Sequence, residues 1–168
     1  MNNKTLDNLS VICQKKRIQL AIAESCTGGL VAKIITDRAG SSSWFERGFV
    51  TYSNLAKNQM LGVEMGLIEQ WGAVSEPVAR AMSEGALKHS AAHYALSITG
   101  IAGPDGGTQE KPVGTVCFGW SWYAEQDGSV KVMITTRHFS GDRAMVRNQS
   151  AQFALQQLYQ LILTEGQK

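Results

Sequence analysis

The segment Glu24-Ser25-Cys26-Thr27-Gly28-Gly29 sets a serine where an apolar run, Ile18 to Ala23, gives way to a helical pattern of Leu30, Val31, Ile34 and Ile35. At such a strand–turn–helix corner the first backbone N–H groups of the helix lack partners and carry partial positive charge. They can hold an oxyanion or a phosphate, and Gly28 and Gly29 would let a ligand approach the backbone closely. Ser25 is therefore a candidate nucleophile for a carbonyl, although helix capping by Ser25 or Thr27 is the commoner use of such residues. Cys26 is a rival, because a helix N-terminus lowers a thiol pKa. No Cys–His–Asn spacing accompanies it, however, and buried inert cysteines are common.

A nucleophilic serine needs a base. His89 falls at a helix end, His93 opens a strand and His138 lies within one, so none belongs to a turn-rich motif. Lys57 is the better candidate. Tyr52 is placed at a strand end, with Lys57 five residues later in the first turn of the next helix. A lysine whose pKa is lowered by burial can accept a proton, whereas an isolated lysine at a helix start is usually solvated. Thr99 to Gly107 (TGIAGPDGG) follows another apolar run. It matches neither the phosphate-binding P-loop nor the dinucleotide fingerprint. It is either a ligand-shaping loop at a strand's C-terminal end or a long tight connection. In Ser140-Gly141-Asp142-Arg143, Asp142 can cap the final helix and Arg143 can clamp a phosphate or carboxylate. No HExxH or comparable ligand spacing points to a metal.

The elements that must position these groups follow from periodicity. Helices are expected over 4–16, from Leu30 to about Arg38, from a cap at Asn54 through Lys57 to Leu61, over 64–71, from a Ser75 cap to about Ser90, and from Asp142 onward. Strands are expected over 18–23, 46–53, 93–99, 113–124 and 130–139, with Gly40 to Ser43 a polar turn. Early alternation followed by a late hairpin predicts a three-layer α/β/α sandwich around a mixed sheet.

With 168 residues, one domain is expected, and it is long enough to bury a core without staples. A net charge of +2 without a basic stripe argues against nucleic acid. Three widely spaced cysteines fit a reducing compartment rather than a disulfide framework. The polar N-terminus and the lack of a long apolar stretch predict a cytoplasmic protein with no membrane partner.

Taken together, Ala23 to Gly29, Gly40 to Tyr52 with Ser53, Asn54 and Lys57, Gly72 to Ser75, Thr99 to Gly107, Lys111 to Val116 and Ser140 to Arg143 resemble the nicotinamide-nucleotide amidase family, the domain found at the C-terminus of CinA competence/damage-inducible proteins. The resemblance runs from about residue 6 to 162. It implies hydrolysis of the carboxamide of nicotinamide mononucleotide, with a small-molecule nucleotide as partner and without metal or cofactor. It assigns the nucleophile to Ser25 and assistance to Tyr52 and Lys57. It also implies a stand-alone homodimeric amidase, since many members carry an additional N-terminal domain. The amides from Cys26 to Gly29 are then expected to hold the oxyanion, with Thr99 and Gly100 shaping the site. Arg143, Thr27, Ser41 and Ser42 are the candidates for the phosphate. Two other readings use the same pocket: a non-catalytic nucleotide-binding module, which would bind without releasing ammonia, and a competence or damage-response interaction subunit, which would be indifferent to Ser25.

Overall fold

The computed structural model describes residues 3–124 and 126–165, with the side chain of residue 3 not included. Five strands, β1 (Leu20–Glu24), β2 (Phe45–Val50), β3 (Tyr94–Gly100), β4 (Thr115–Tyr123) and β5 (Val130–His138), form one sheet in the order β2-β1-β3-β4-β5. β1 pairs in parallel with β2 and β3, whereas β3–β4 and β4–β5 are antiparallel. The helices are α1 (Asn3–Lys16), α2 (Leu30–Thr36), α3 (Asn54–Leu61), α4 (Met65–Trp71), α5 (Glu76–Lys88) and α6 (Arg143–Glu165). The expected mixed three-layer sandwich is the observed one.

The period of two along each strand gives the sheet unlike faces. Leu20, Ile22, Leu96, Ile98, Phe118 and Trp120 point to α1, α2 and α6 and bury against Leu9, Val31, Ile35, Leu155 and Leu158. Phe118, Trp120, Phe139 and Phe153 meet edge-to-face or stacked, filling the gap between sheet and α6. The other face carries small residues: Ala21, Ala23, Ala95, Ser97 and Gly119. α5 can therefore lie close, and Ser97 donates to the Ala79 carbonyl at 2.6 Å while Ser83 and Ser121 share a hydrogen bond of 2.7 Å. A Cβ on Gly119 would come within 2.6 Å of that same carbonyl.

α3 is held against α5 by an equally close contact. A Cβ on Gly85 would collide with the Leu61 carbonyl at the end of α3. Gly85→Ala is thus expected to lose about 1–3 kcal/mol, the cost of overpacking a core, despite alanine's better helix propensity. Chemical denaturation measures this, and an unchanged midpoint would show that α3 floats free of α5.

Most boundaries shift by one or two residues, and two of the differences bear on the site. β2 ends at Val50 rather than extending through Tyr52, because Thr51 turns its N–H to the Glu24 carbonyl and Ser53 becomes the cap of α3. Ser53 Oγ accepts from Ala56 N at 3.0 Å, so Asn54 is the first helical residue and not the cap. The Ser75 cap is as expected, accepting from Val78 N.

Candidate active site

β1, β2 and β3 all end at one edge of the sheet. From there β1 leads into α2 on the large-residue face, and β2 leads into α3 on the small-residue face. Connections that leave neighbouring parallel strands for opposite faces open a crevice between them. Ser25, the first residue after β1, sits there, anchored by donation of its N–H to the Ile98 carbonyl at 2.9 Å.

Lys57 reaches this point from the first turn of α3. Its Nζ donates to Ser25 Oγ at 3.1 Å and to the Thr51 carbonyl at 3.1 Å. The lysine side chain is 1% exposed, and the serine is 8% exposed. Among the described residues Lys57 has no ion-pair partner. Burial disfavours the ammonium and lowers the Lys57 pKa. A lysine that is easily neutralised, at hydrogen-bond distance from a serine hydroxyl, has the geometry of a nucleophile and its base.

Cys26 is the weaker candidate for the nucleophile. Burial pushes its thiol up to about 12, so it stays protonated at neutral pH.

The backbone donors are fewer than the sequence implied. The Glu24 carboxyl group, 1% exposed, accepts from Gly29 N and Val31 N at 3.0 Å each and from Ala32 N at 2.9 Å. Gly28 N donates to the Ser25 carbonyl at 3.1 Å. The amides of Gly28 and Gly29 are therefore occupied, a correction to the expected set. The Thr27 amide donates to no protein acceptor among the described residues but belongs to a wholly buried residue, and the Cys26 amide bonds its own thiol. Gly28 and Gly29 instead supply positive φ, 55° and 89°, for the tight turn into α2.

Arg143 joins the segments that follow β2 and β3. Its Nη2 donates to the Tyr52 hydroxyl at 2.9 Å and its Nη1 to the Gly103 carbonyl at 2.7 Å. The Tyr52 hydroxyl is thereby tied to Arg143 and not to the Ser25–Lys57 pair, and the side chain is 59% exposed. Thr99 lies on the neighbouring strand beside Ser25, buried, with its hydroxyl donating to the Ala73 carbonyl at 2.8 Å. Gly100 has no room for a side chain, since a Cβ would stand 2.7 Å from Val116 and 3.1 Å from Cys26 Sγ.

Three expected phosphate contacts are not brought together with these groups. Ser41 and Ser42 precede β2, and the parallel register pairs Phe45 with Leu20, at the start of β1. They lie at the opposite edge from Ser25, roughly 15 Å away at about 3.3 Å per strand residue. Thr27 has a fully buried side chain, so its hydroxyl cannot meet a phosphate at the surface.

Two charged residues of the site escaped the sequence reading. Glu24 was overlooked although a carboxylate just before a helix start is a natural acceptor for its amides. Arg147, four residues after Arg143 and hence on the same helix face, donates from Nε to the Cys26 carbonyl at 3.1 Å and from Nη2 to the Thr27 carbonyl at 2.7 Å. Among the described residues no three His, Cys, Asp or Glu side chains gather as a metal site would require, and no helix is long and apolar enough to cross a membrane.

The CinA C-terminal domain family matches residues 2–162. The chain belongs to this family. It is 54% identical over 160 residues to the nicotinamide-nucleotide amidohydrolase PncC of Enterobacter agglomerans, covering 93% of this chain and 94% of that protein. It is 61% identical over 142 residues to the PncC of Escherichia coli strain K12, covering 84% and 82%. Among solved structures, the competence/damage-inducible protein CihA of Agrobacterium tumefaciens superimposes with a TM-score of 0.84 at 39% identity, covering 94% of each chain. The CinA superfamily protein KP700603 of Klebsiella pneumoniae gives 0.87 at 31%, covering 96% and 97%.

Proposed function

We propose that this chain hydrolyses the carboxamide of nicotinamide mononucleotide to nicotinic acid mononucleotide and ammonia, with Ser25 as nucleophile. The observation that carries the mechanism is the 3.1 Å contact between Lys57 Nζ and Ser25 Oγ at the buried end of β1. The substrate is taken from what the close relatives are named to act on.

Neutral Lys57 accepts the Ser25 hydroxyl proton as Oγ forms a bond to the carboxamide carbon. Negative charge develops on the carbonyl oxygen, and backbone amides of the turn that follows Ser25 are the proposed donors to it. Lys57 then returns its proton to the leaving nitrogen, the C–N bond breaks, and ammonia departs. Water gives a proton to Lys57 and attacks the acyl ester. The C–O bond to Ser25 breaks, and Oγ recovers the proton from Lys57. The remaining N–H groups of Arg143 suit the substrate phosphate, and Tyr52 orients that guanidinium rather than relaying protons.

The test is to incubate the purified protein with nicotinamide mononucleotide and follow ammonia and nucleotide products together. Equimolar ammonia and nicotinic acid mononucleotide support the proposal. A folded protein that leaves the nucleotide unchanged, or that releases ammonia only from other amides, contradicts it.

A further inference from the structure

α3 and α5 are each capped by the residue directly before the helix: Ser53 accepts from Ala56 N, and Ser75 accepts from Val78 N. α2 is built otherwise. The residue before it is Gly29, which has no side chain to cap with and a φ of 89°. The cap comes instead from Glu24, the last residue of β1, on the far side of the turn that carries Ser25. Glu24 Oε2 accepts from Gly29 N and Val31 N, and Oε1 accepts from Ala32 N. The carboxylate thus ties the end of the strand to the start of the helix and closes the turn from Ser25 to Gly28. The backbone of the same residue reaches the other half of the pair. The Glu24 carbonyl accepts from Thr51 N at 2.8 Å, and the Thr51 carbonyl accepts from Lys57 Nζ at 3.1 Å. Serine and lysine are both held in place through Glu24. A cap that only stabilises a helix needs one hydroxyl, as α3 and α5 show. A carboxylate that is 1% exposed and, among the described residues, has no ion-pair partner carries a desolvation cost. What it gains is geometry, because three N–H groups exceed the two acceptor positions of a hydroxyl or of an amide oxygen.

We propose that Glu24 is a positioning residue for amide hydrolysis: its carboxylate fixes the turn after β1 so that Ser25 Oγ stays within reach of Lys57, acting through the backbone of the turn and not on the substrate. This rests on the reading of Ser25 as nucleophile and Lys57 as its base, and deepens it.

The experiment compares wild type, Glu24→Gln, Glu24→Asp and Ser121→Ala in three readouts: turnover of nicotinamide mononucleotide, sulfonylation of Ser25 by methanesulfonyl fluoride, and the denaturation midpoint. In Glu24→Gln the amide nitrogen faces a backbone N–H where a carboxylate oxygen accepted one, so the turn loosens. A misplacement of about 1 Å can cost about 10²-fold, so kcat and the sulfonylation rate should both fall by about 10–100-fold, with KM within about threefold. Glu24→Asp keeps both oxygens on a side chain one methylene shorter and should fall in the same range. Ser121→Ala removes the buried hydrogen bond to Ser83 between β4 and α5. It should lower the midpoint while kcat and sulfonylation stay within about twofold of wild type. In Glu24→Gln the rise of kcat with pH should keep its midpoint while the plateau drops. A rise displaced to lower pH would make Glu24 a charge acting on Lys57 and would overturn the proposal. An unchanged sulfonylation rate in Glu24→Gln overturns it too, whatever happens to stability, and so does a rise in KM alone. If the wild type is sulfonylated at Ser25 but leaves the nucleotide intact, the substrate assignment fails, while the sulfonylation comparison still decides the role of Glu24. Should Glu24→Gln fail to fold, Glu24→Asp carries the same comparison.

Discussion

Ser25→Ala is expected to reduce ammonia release from nicotinamide mononucleotide by about 10⁴-fold or more, as loss of a covalent nucleophile does in other serine hydrolases. The fold should survive. Ser25 presents a small side chain at the end of β1, and its N–H to Ile98, which the substitution keeps, is what anchors the turn. The lost hydrogen bond to Lys57 is worth about 1 kcal/mol, too little to unfold a domain of this size. Substrate affinity should hold, because the proposed phosphate contact at Arg143 and the backbone donors remain. Circular dichroism, a binding isotherm and an ammonia assay on the same preparation separate these effects. Residual turnover near the wild-type rate would reduce Ser25 to a turn residue.

Lys57→Met is expected to cost about 10²–10⁴-fold in kcat, the range for removing a positioned general base. Methionine keeps the length and suits the buried site, so the loss reports chemistry and not collapse. Lys57→Arg should be no better, since a guanidinium does not give up its proton. The pH dependence follows from the same residue. Only neutral Lys57 can accept the serine proton, and burial lowers its pKa. Activity should therefore be low in acid, rise as pH passes through the lowered lysine pKa, and level off before the ordinary lysine range. In Lys57→Met that limb should disappear. A wild-type profile that rises only in the ordinary lysine range would mean that Lys57 is solvated in solution.

The layers of the fold were legible because helices and strands alternate early in the chain and a hairpin of two strands comes late. Even the close approach of α5 is foreshadowed by Ala21, Ala23, Ala95 and Gly119. The pairing of Ser25 with Lys57 was legible for a local reason: each lies within a few residues of a parallel strand's C-terminal end. Ser41 and Ser42 misled because a serine-rich turn looks the same at either end of a sheet, and only the β1–β2 register places it opposite the site. The strand boundary near Tyr52 was hidden because Tyr52 itself favours a strand. What ends β2 is the Thr51 hydrogen bond to Glu24 and the Ser53 cap, both settled by tertiary contacts. Arg147 was invisible for the same reason, as its partners lie 120 and 121 positions away in the chain.

The most direct test of the central claim is to quench the protein with acid during turnover of nicotinamide mononucleotide and map the adduct by peptide mass spectrometry. The account predicts the acyl group of the nucleotide on the peptide containing Ser25, at the serine oxygen and absent from Ser25→Ala. An acyl group on Cys26 or on any other residue would contradict it.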